Sequence, residues 1–433
     1  MIKALMQKII VTANRRYFLL AGLCTSLTST ARADDAVAKA KSYGGSWDGV
    51  ADVSQAAQAA LNSGKKVIDF EHAPARINTG LIVPAGVEAR NVNFIGGTPG
   101  LDLLRVGSGS SVNGKITGSG AGGSTVERAV SPDGDDVRDV RLNLDVSRLT
   151  VGVQIWSRGK SAKPRRWTGD LRFSGMTGGG TNSNGYGLLI AGADDCEFTV
   201  TSVDTPRHCV YISNGSKRNK VKLDSMGNSG APIQLAAYSN QDYVESNRIT
   251  ATVRSMRPTS SSAAYAVNIV GKCRSNEITV TVTDSEMAQG AVLFRALDAD
   301  TVPYRNAVSV DSKGGYSGPG VVRSDSAYEN HVRIRGEGSP RASSGTAVVS
   351  VGVYSRIIPK GKYERALYVD EYSWDAKGAP MRGVAAMASY APVEINAAMA
   401  NGHRRAQLPA TYTSGGGKFT ELKSSSEGAA PLR

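Results

Sequence analysis

The strongest constraint in this sequence is a five-residue pattern that recurs at nearly even spacing. Each copy has Asn, any residue, a β-branched residue, any residue, and then a small or aliphatic residue. The copies begin 28, 29, 30 and 24 residues apart, at Asn219, Asn247, Asn276, Asn306 and Asn330. The period-2 alternation predicts strands with one buried face, and the even spacing predicts an internal repeat of such strands.

A second series of short apolar strands alternates with the first. Its members begin at Val153, Leu188, Val210, Ile233, Val267 and Val292. Two strand series with a shared period of 22 to 35 residues describe a chain that winds and adds one strand per turn to each of two or three parallel sheets. The predicted fold class is all-β: a right-handed parallel β-helix, or solenoid, with an N-terminal capping helix.

The repeated Asn residues are predicted to be corners between sheets rather than ligands. An Asn side chain tolerates the left-handed backbone conformation and can hydrogen-bond the backbone of a neighbouring turn. Stacked copies would therefore form a ladder of Asn side chains along the solenoid.

The chain is predicted to have four parts. Residues 1–33 have a basic beginning, a short apolar stretch and the sequence Ala31-Arg32-Ala33, which together are typical of a signal peptide. Arg15-Arg16 favours the twin-arginine type over an ordinary signal peptide of the general secretory route. Either type predicts cleavage after Ala33 and a mature protein in the periplasm or outside the cell. Residues 34–70 are expected to hold a capping helix over 52–64 and a first strand, residues 71–379 the β-helix, and residues 380–433 an irregular segment or cap. Residues 119–137 are expected to be a projecting loop.

The balance of charge favours a polyanionic partner. The formal net charge is +13, of which eight charges remain once residues 1–33 are removed. A basic protein attracts polyanions, and outside the cytoplasm acidic polysaccharides are the expected ones. Neither nucleic acid nor membrane is a predicted partner, and the oligomeric state is left open.

Three cysteines remain in the mature chain, at Cys196, Cys209 and Cys273. Their spacing does not match that of a zinc site. They are predicted to be small buried side chains.

The segment 46–70 resembles the initial segment of pectate-lyase-superfamily and phage-tailspike β-helices, in which a turn leads into a helix and a first strand. The matching residues are Asp48, Gly49, Asp52, Gln55, Ala59 and the strand Val67 to Phe70. The resemblance implies a parallel β-helix over roughly residues 35–370. Because that superfamily includes lyases, glycoside hydrolases, epimerases and binding spikes, it also implies recognition or cleavage of long carbohydrate chains.

Two further segments, 193–198 and 207–213, are similar to the paired-aspartate and histidine motifs of polygalacturonases. In that family the motifs lie about one turn apart on the same sheet, whereas Asp195 and His208 are only thirteen residues apart. Asp194 and Asp195 are expected at a corner before the other sheet. A hydrolase site of that type is therefore not favoured.

A linear polymer could lie along the outer face of one sheet and touch one residue per turn. If the second strand series begins with inward residues, the residue after each of these points outward. The candidate substrate-binding residues combine stacking surface with amide and cationic groups: Gln154, Trp156, Gln234, Asn268, Arg295, Lys217 and Arg218. Outward leucines and alanines in the same strands fit an ordinary solvated sheet equally well.

The candidate catalytic residues are His208, Tyr211 and Arg158. β-Elimination at a uronate needs a base for the proton beside the carboxylate, a positive group for the enolate-like intermediate and an acid for the leaving oxygen. His208 and Tyr211 would share the proton transfers, and Arg158, Lys217, Arg218 or Arg295 would neutralise the carboxylate. His208 could instead be a corner residue bonded to the backbone.

The preferred hypothesis from sequence is an exported polysaccharide lyase that cleaves an acidic, uronate-containing polymer. The alternatives are a uronate epimerase or glycoside hydrolase on the same scaffold, and a non-catalytic carbohydrate-binding or scaffold protein. No cofactor is predicted. Asp194, Asp195 and Asp204 could bind Ca²⁺, but no ligand spacing indicates such a site.

Overall fold

The computed structural model shows a chain that winds into a right-handed parallel β-helix, which confirms the predicted fold class. It describes residues 37–337 apart from gaps at 123–124, 158–161, 179–183, 258–264, 286–290, 298–299, 314–320 and 324–329. Three strands further along, at 356–358, 384–387 and 419–422, are also described. The predicted signal peptide and most of the predicted C-terminal segment lie outside these ranges, and the predicted division of the chain stays a prediction.

Sheet A contains sixteen strands within the described ranges, and all of them pair in parallel except the last two, which are antiparallel to each other. They are β1 (Val37–Lys39), β2 (Val67–Asp69), β3 (Ala75–Ile77), β5 (Glu88–Gly96), β7 (Ser111–Thr117), β9 (Arg141–Ser147), β11 (Thr168–Ser174), β13 (Glu197–Val203), β15 (Lys220–Met226), β18 (Arg248–Arg254), β21 (Glu277–Thr283), β23 (Ala307–Lys313), β25 (His331–Glu337), β26 (Arg356–Ile358), β27 (Val384–Met387) and β28 (Phe419–Leu422).

Sheet B contains ten described strands, all of them parallel. They are β4 (Leu81–Val83), β6 (Asp102–Val106), β8 (Arg128–Pro132), β10 (Val151–Trp156), β12 (Tyr186–Ala191), β14 (His208–Ser213), β16 (Ile233–Ala237), β19 (Val267–Gly271), β22 (Val292–Arg295) and β24 (Val321–Arg323). The short β8 lies inside the segment 119–137, so the prediction of a loop there was wrong for these residues.

A narrow third side completes each turn. β17 (Val244–Glu245) pairs with β20 (Cys273–Arg274), and single parallel bridges continue the same row through Arg165, Asp194 and Lys217. One turn of the chain therefore runs along sheet A, crosses to sheet B, and returns to sheet A through the third side.

The core lies between the sheets and runs along the whole described solenoid. The predicted inward residues of sheet B stand in one row, from Val153 through Leu188 and Val210 to Ile233 and Val267. Each of them is fully buried in the main core. Burial of such side chains contributes roughly 1.5–3 kcal/mol each, so consecutive turns stabilise one another.

Helix α1 (Ser54–Leu61) lies at the start of the solenoid, inside the predicted range 52–64. Asp52 lies one residue before the N-cap Val53, and its Oδ1 accepts the Ser54 N–H at 3.0 Å. Gly64 follows the end with φ of +77°, a conformation that glycine adopts without strain. Ala57 and Leu61 are buried, so the helix packs its apolar side against the first turns.

The predicted Asn ladder is confirmed. Each Asn from the first to the fourth donates both its backbone N–H and its side-chain Nδ2 to the Oδ1 of the Asn on the next turn, at 2.8–3.2 Å. All five side chains are at most 1% exposed. The left-handed conformation belongs to the residue before the Asn rather than to the Asn itself, with φ of +54° to +58° at Arg218, Ser246, Ser275 and Arg305.

The cysteine prediction is also confirmed. Cys196, Cys209 and Cys273 are buried free thiols. Burial raises the pKa of Cys196 and Cys209 to about 12, so these thiols stay protonated and unreactive at neutral pH. Within the described ranges, no helix is long and apolar enough to span a lipid bilayer.

Candidate functional site

Most of the predicted site residues lie on the outer face of sheet B. Gln154, Leu189, Tyr211, Gln234 and Asn268 occupy consecutive positions in the strand register. Neighbouring strands are about 4.8 Å apart, so this row is roughly 19 Å long. A row of that length suits an extended polymer better than a small molecule.

The row is more enclosed than an open groove would be. Gln154, Leu189 and Asn268 are only 7–8% exposed, and Tyr211 and Gln234 are half-buried. An apolar cluster separate from the main core accounts for part of this burial; its members are Val151, Tyr186, Leu189 and Ala191, with Val126, Trp156 and Tyr211 packed against them. A ligand bound to this face would therefore contact a surface of closely packed aromatic and amide side chains.

Three rings meet at the middle of the row. Tyr186 stacks on His208 with 5.6 Å between ring centroids, and Tyr211 lies 5.5 Å from each of them. A local irregularity brings them together. The register of β12 and β14 is constant, but Gly187 and Cys209 form no bridge in it, and the alternation of inward and outward residues breaks there. Cys209 points into the main core instead, and the first residue of each strand faces the same side as Tyr211.

His208 is held as a neutral ring. It is 4% exposed, and its Nδ1 lies 2.6 Å from the carbonyl oxygen of Ala231. Because a carbonyl can only accept, Nδ1 carries the proton and Nε2 keeps the lone pair. Burial lowers the pKa of His208 to about 3, so the ring is a weak base at neutral pH. His208 contacts the rings of both tyrosines in this position.

The two tyrosines are protonated at neutral pH. Burial raises the pKa of Tyr211 and of Tyr186 above the ordinary value of 10.0. Both phenols can therefore donate a hydrogen bond or a proton to a bound molecule. The guanidinium of Arg207 lies 5.1 Å over the ring of Tyr186 and adds a positive charge beside them.

Arg207 and Tyr186 were missed by the sequence prediction. Arg207 directly precedes His208, and Tyr186 stands two residues before the inward Leu188. A strict alternation places Tyr186 and His208 inward, so only the break in that alternation, seen in the structure, reveals that they face the site. The signal that could have found Arg207 is its position directly before the candidate catalytic residue His208.

Arg128 organises the first turns of the same face. Its Nη1 donates to Asp102 Oδ1 at 2.7 Å, its Nε donates to Gln154 Oε1, and its guanidinium lies 5.3 Å over the ring of Trp156. Gln154 and Trp156 are thus held in place by a residue that the sequence prediction assigned to a loop.

At the other end of the row, Asn268 donates through Nδ2 to Gln234 Oε1 at 3.3 Å. Asn268 Oδ1 is buried and accepts no hydrogen bond within the part of the chain that the structure describes. A buried amide oxygen of this kind can accept a hydroxyl from a ligand. Arg295 is exposed and shares a row with Trp156, but the two are five strands or roughly 24 Å apart.

Lys217 and Arg218 lie elsewhere on the turn. Lys217 belongs to the narrow third side, where its Nζ is 3.2 Å from a Glu245 oxygen. Arg218 forms two hydrogen bonds with Asp195, at 2.7 and 2.9 Å, and holds the pKa of that carboxyl below its ordinary value. The structure therefore does not bring these two cations to His208.

Asp194 also lies on the third side, and its Oδ1 accepts the backbone N–H of Lys217 at 2.9 Å. Both aspartates are thus at a corner, separated from the sheet B face by the turn that follows Ala191. Across the described ranges, no group of three His, Cys, Asp or Glu side chains is placed to hold a metal ion. Arg158 lies outside the described residues.

The comparisons with known proteins give distant structural similarity. No family model matches this sequence, and no curated protein matches it. One similar solved structure is ORF18 of Geobacillus virus E2, with 13% identity and a TM-score of 0.47 over 83% of this chain and 67% of that chain. Another is the Dettilon tailspike protein, with 11% identity and a TM-score of 0.43 over 83% and 72% of the two chains.

A third similar structure is the A-module of the mannuronan C-5 epimerase AlgE6 of Azotobacter vinelandii. It is 14% identical, with a TM-score of 0.43 over 78% of this chain and 97% of that chain. These similarities are too distant to carry a functional argument. The fold of this chain rests on its own strand pairing.

Proposed function

We propose that this protein recognises an acidic polysaccharide along the outer face of sheet B. The observation that carries the proposal is the cluster of Tyr186, His208 and Tyr211 beside the Arg207 guanidinium, at the middle of a polar row roughly 19 Å long. The expected export of the chain accords with such a ligand and stays a prediction.

Each part of the row has a chemical use in sugar binding. The tyrosine rings offer apolar planes to the C–H faces of a sugar, and their hydroxyls offer donors. Arg207 supplies positive charge for a carboxylate. Gln234 and the buried Oδ1 of Asn268 supply amide groups for hydroxyls.

Affinity electrophoresis tests this binding. Gels that contain polygalacturonate or alginate should retard the protein, whereas gels with neutral dextran should not. Arg207→Gln and Tyr211→Ala should weaken the retardation. Lys115→Ala is the matched control, since Lys115 is an exposed cation on sheet A. Equal mobility of the wild-type protein in all gels would contradict the proposal.

A second candidate function is cleavage of the bound chain by β-elimination. It is favoured by one observation: two protonated phenols lie beside a guanidinium. Arg207 would stabilise the charge that develops on the uronate, and Tyr211 would protonate the leaving oxygen. The proton beside the carboxylate would pass to Nε2 of His208, leaving a double bond in the product. With a pKa of about 3 this nitrogen is a weak acceptor, which is why binding ranks first.

The ultraviolet absorbance of an unsaturated uronate product measures this reaction directly. Activity that Tyr211→Phe abolishes, in a protein that still binds the polymer, would support cleavage. Proton exchange from deuterated solvent at constant chain length would indicate epimerisation. New reducing ends without that absorbance would indicate hydrolysis.

A further inference from the structure

Sheet A carries a second concave surface that the proposed site does not use. An open cleft of about 350 Å³ lies on its outer face, across the strands β9, β11, β13, β15 and β18. Its lining includes Arg141, Asp170, Glu197, Thr199 and Lys222, and these side chains are exposed. Sheet A and sheet B are separate sheets of the same solenoid, so the cleft is distinct from the sheet B face.

The cleft contains two cations that are available to a ligand. Lys220 is 3.7 Å from Glu197, and Arg248 is 2.7 Å from Glu277, so these two are already paired. Arg141 and Lys222 have no carboxylate within ion-pair distance in the part of the chain that the structure describes. The lining therefore has an excess of positive charge located at these two side chains.

The two available cations have a defined separation. Arg141 begins β9, and the register leads from it through Thr168 and Glu197 to Lys220, two residues before Lys222. Three strand steps correspond to roughly 14 Å along the solenoid axis. A ligand that engages both cations must be extended and must carry negative groups several ångströms apart.

We infer that this cleft is a second binding site, for a short stretch of a carboxylated sugar chain that lies along the solenoid axis. Negative groups of the chain would meet Arg141 and Lys222. Hydroxyls between them would donate to Asp170 and Glu197 and bond the side-chain hydroxyl of Thr199.

The carboxylates in the cleft favour a sugar chain over a DNA strand. Asp170 and Glu197, when ionised, can only accept hydrogen bonds. A sugar chain carries hydroxyl donors on each of its units, whereas the phosphodiester backbone of DNA carries none between its phosphates.

Calorimetric titration with a galacturonate hexamer tests the inference in a protein whose sheet B face is disabled by Arg207→Gln and Tyr211→Ala. In that background the hexamer should still bind. Adding Arg141→Glu and Lys222→Glu should raise the Kd about tenfold or more, because an exposed ion pair is worth up to about fivefold and reversed charges also repel. Lys115→Glu is the control, since Lys115 lies on the same sheet outside the cleft and should leave the Kd unchanged.

Three outcomes would overturn the inference: no binding of the hexamer in the disabled background, an unchanged Kd on reversal of the two cations, or equal binding of the neutral methyl-esterified hexamer. Tighter binding of an oligothymidylate would reassign the cleft to nucleic acid. The two proposals fail separately. If only the substitutions on sheet B abolish binding, the second site on sheet A is contradicted. If only the substitutions on sheet A abolish binding, the proposed site on sheet B is contradicted. Circular dichroism of each variant checks that it is folded.

Discussion

Replacement of one Asn inside the ladder should destabilise the whole stack measurably. Asn247 makes four side-chain hydrogen bonds: its Oδ1 accepts from the N–H and Nδ2 of Asn219, and its Nδ2 donates to Ser216 O and Asn276 Oδ1. Asn247→Ala removes all four in a site that is 1% exposed.

The size of this loss of stability depends on which hydrogen-bond partners of Asn247 keep another bond after the substitution. Asn219 Nδ2 still donates to Ala193 O, Ser216 O still accepts from Glu245, and Asn276 Oδ1 still accepts the backbone N–H of residue 247. The N–H of Asn219 alone loses its acceptor while buried, which costs about 1–3 kcal/mol. With the net loss of the other bonds, the free energy of unfolding should fall by about 2–4 kcal/mol.

Urea unfolding followed by circular dichroism measures this change, and hydrogen exchange at the Asn219 amide localises it. The control is Asn93→Ala, because the Asn93 side chain makes one bond of 3.2 Å to His72 O in an exposed position. Its cost should stay below about 0.5 kcal/mol. An Asn247→Ala protein as stable as the control, with unchanged exchange at Asn219, would refute the reasoning.

Three further predictions follow from single residues. Burial raises the pKa of Glu127 above 4.5, so the wild-type protein loses stability as the pH rises through the range above that value. In thermal melts, Glu127→Gln should therefore be more stable than the wild-type protein near neutral pH. It should lose that advantage below about pH 4.5. A Cβ at Gly169 would lie 1.7 Å from the Leu142 carbonyl oxygen with φ of +150°, so Gly169→Ala should cost at least about 1–3 kcal/mol, and an unchanged urea midpoint would contradict this. His208 should show no change in its ring NMR signals above about pH 4, and a titration near pH 6.5 would show that the ring is solvated rather than held against Ala231.

The sequence predicted the features that depend on short-range pattern. The inward row from Val153 to Val267 follows from alternation within a strand and from repetition between strands, and both are visible in the letters alone. The Asn ladder was predictable for the same reason, because the same residue type recurs at the same place in each turn.

The remaining features depend on irregularities that leave little pattern. β8 has five residues, with Arg128 at its start and Pro132 at its end, so it lacks the apolar alternation that marks the other strands. Cys209 and Val210 both point into the core, and this break in the alternation leaves His208 on the outer face. The burial that lowers the pKa of His208 comes from its place among neighbouring strands, which a single segment of sequence does not contain.

Each turn has one corner that leads into sheet A and one connection that runs from sheet A to sheet B. The two differ in how much their lengths vary from turn to turn. The corner into sheet A has a constant form, one bridge residue and one left-handed residue before the Asn, at 217–219, 245–247 and 274–276. The connection from sheet A to sheet B has four residues after Val203, six after Met226 and twelve after Arg254. The connection beside the proposed ligand face therefore varies in length from turn to turn, whereas the opposite corner is constant in these turns. A longer connection at the first edge leaves the hydrogen bonds of the Asn ladder untouched.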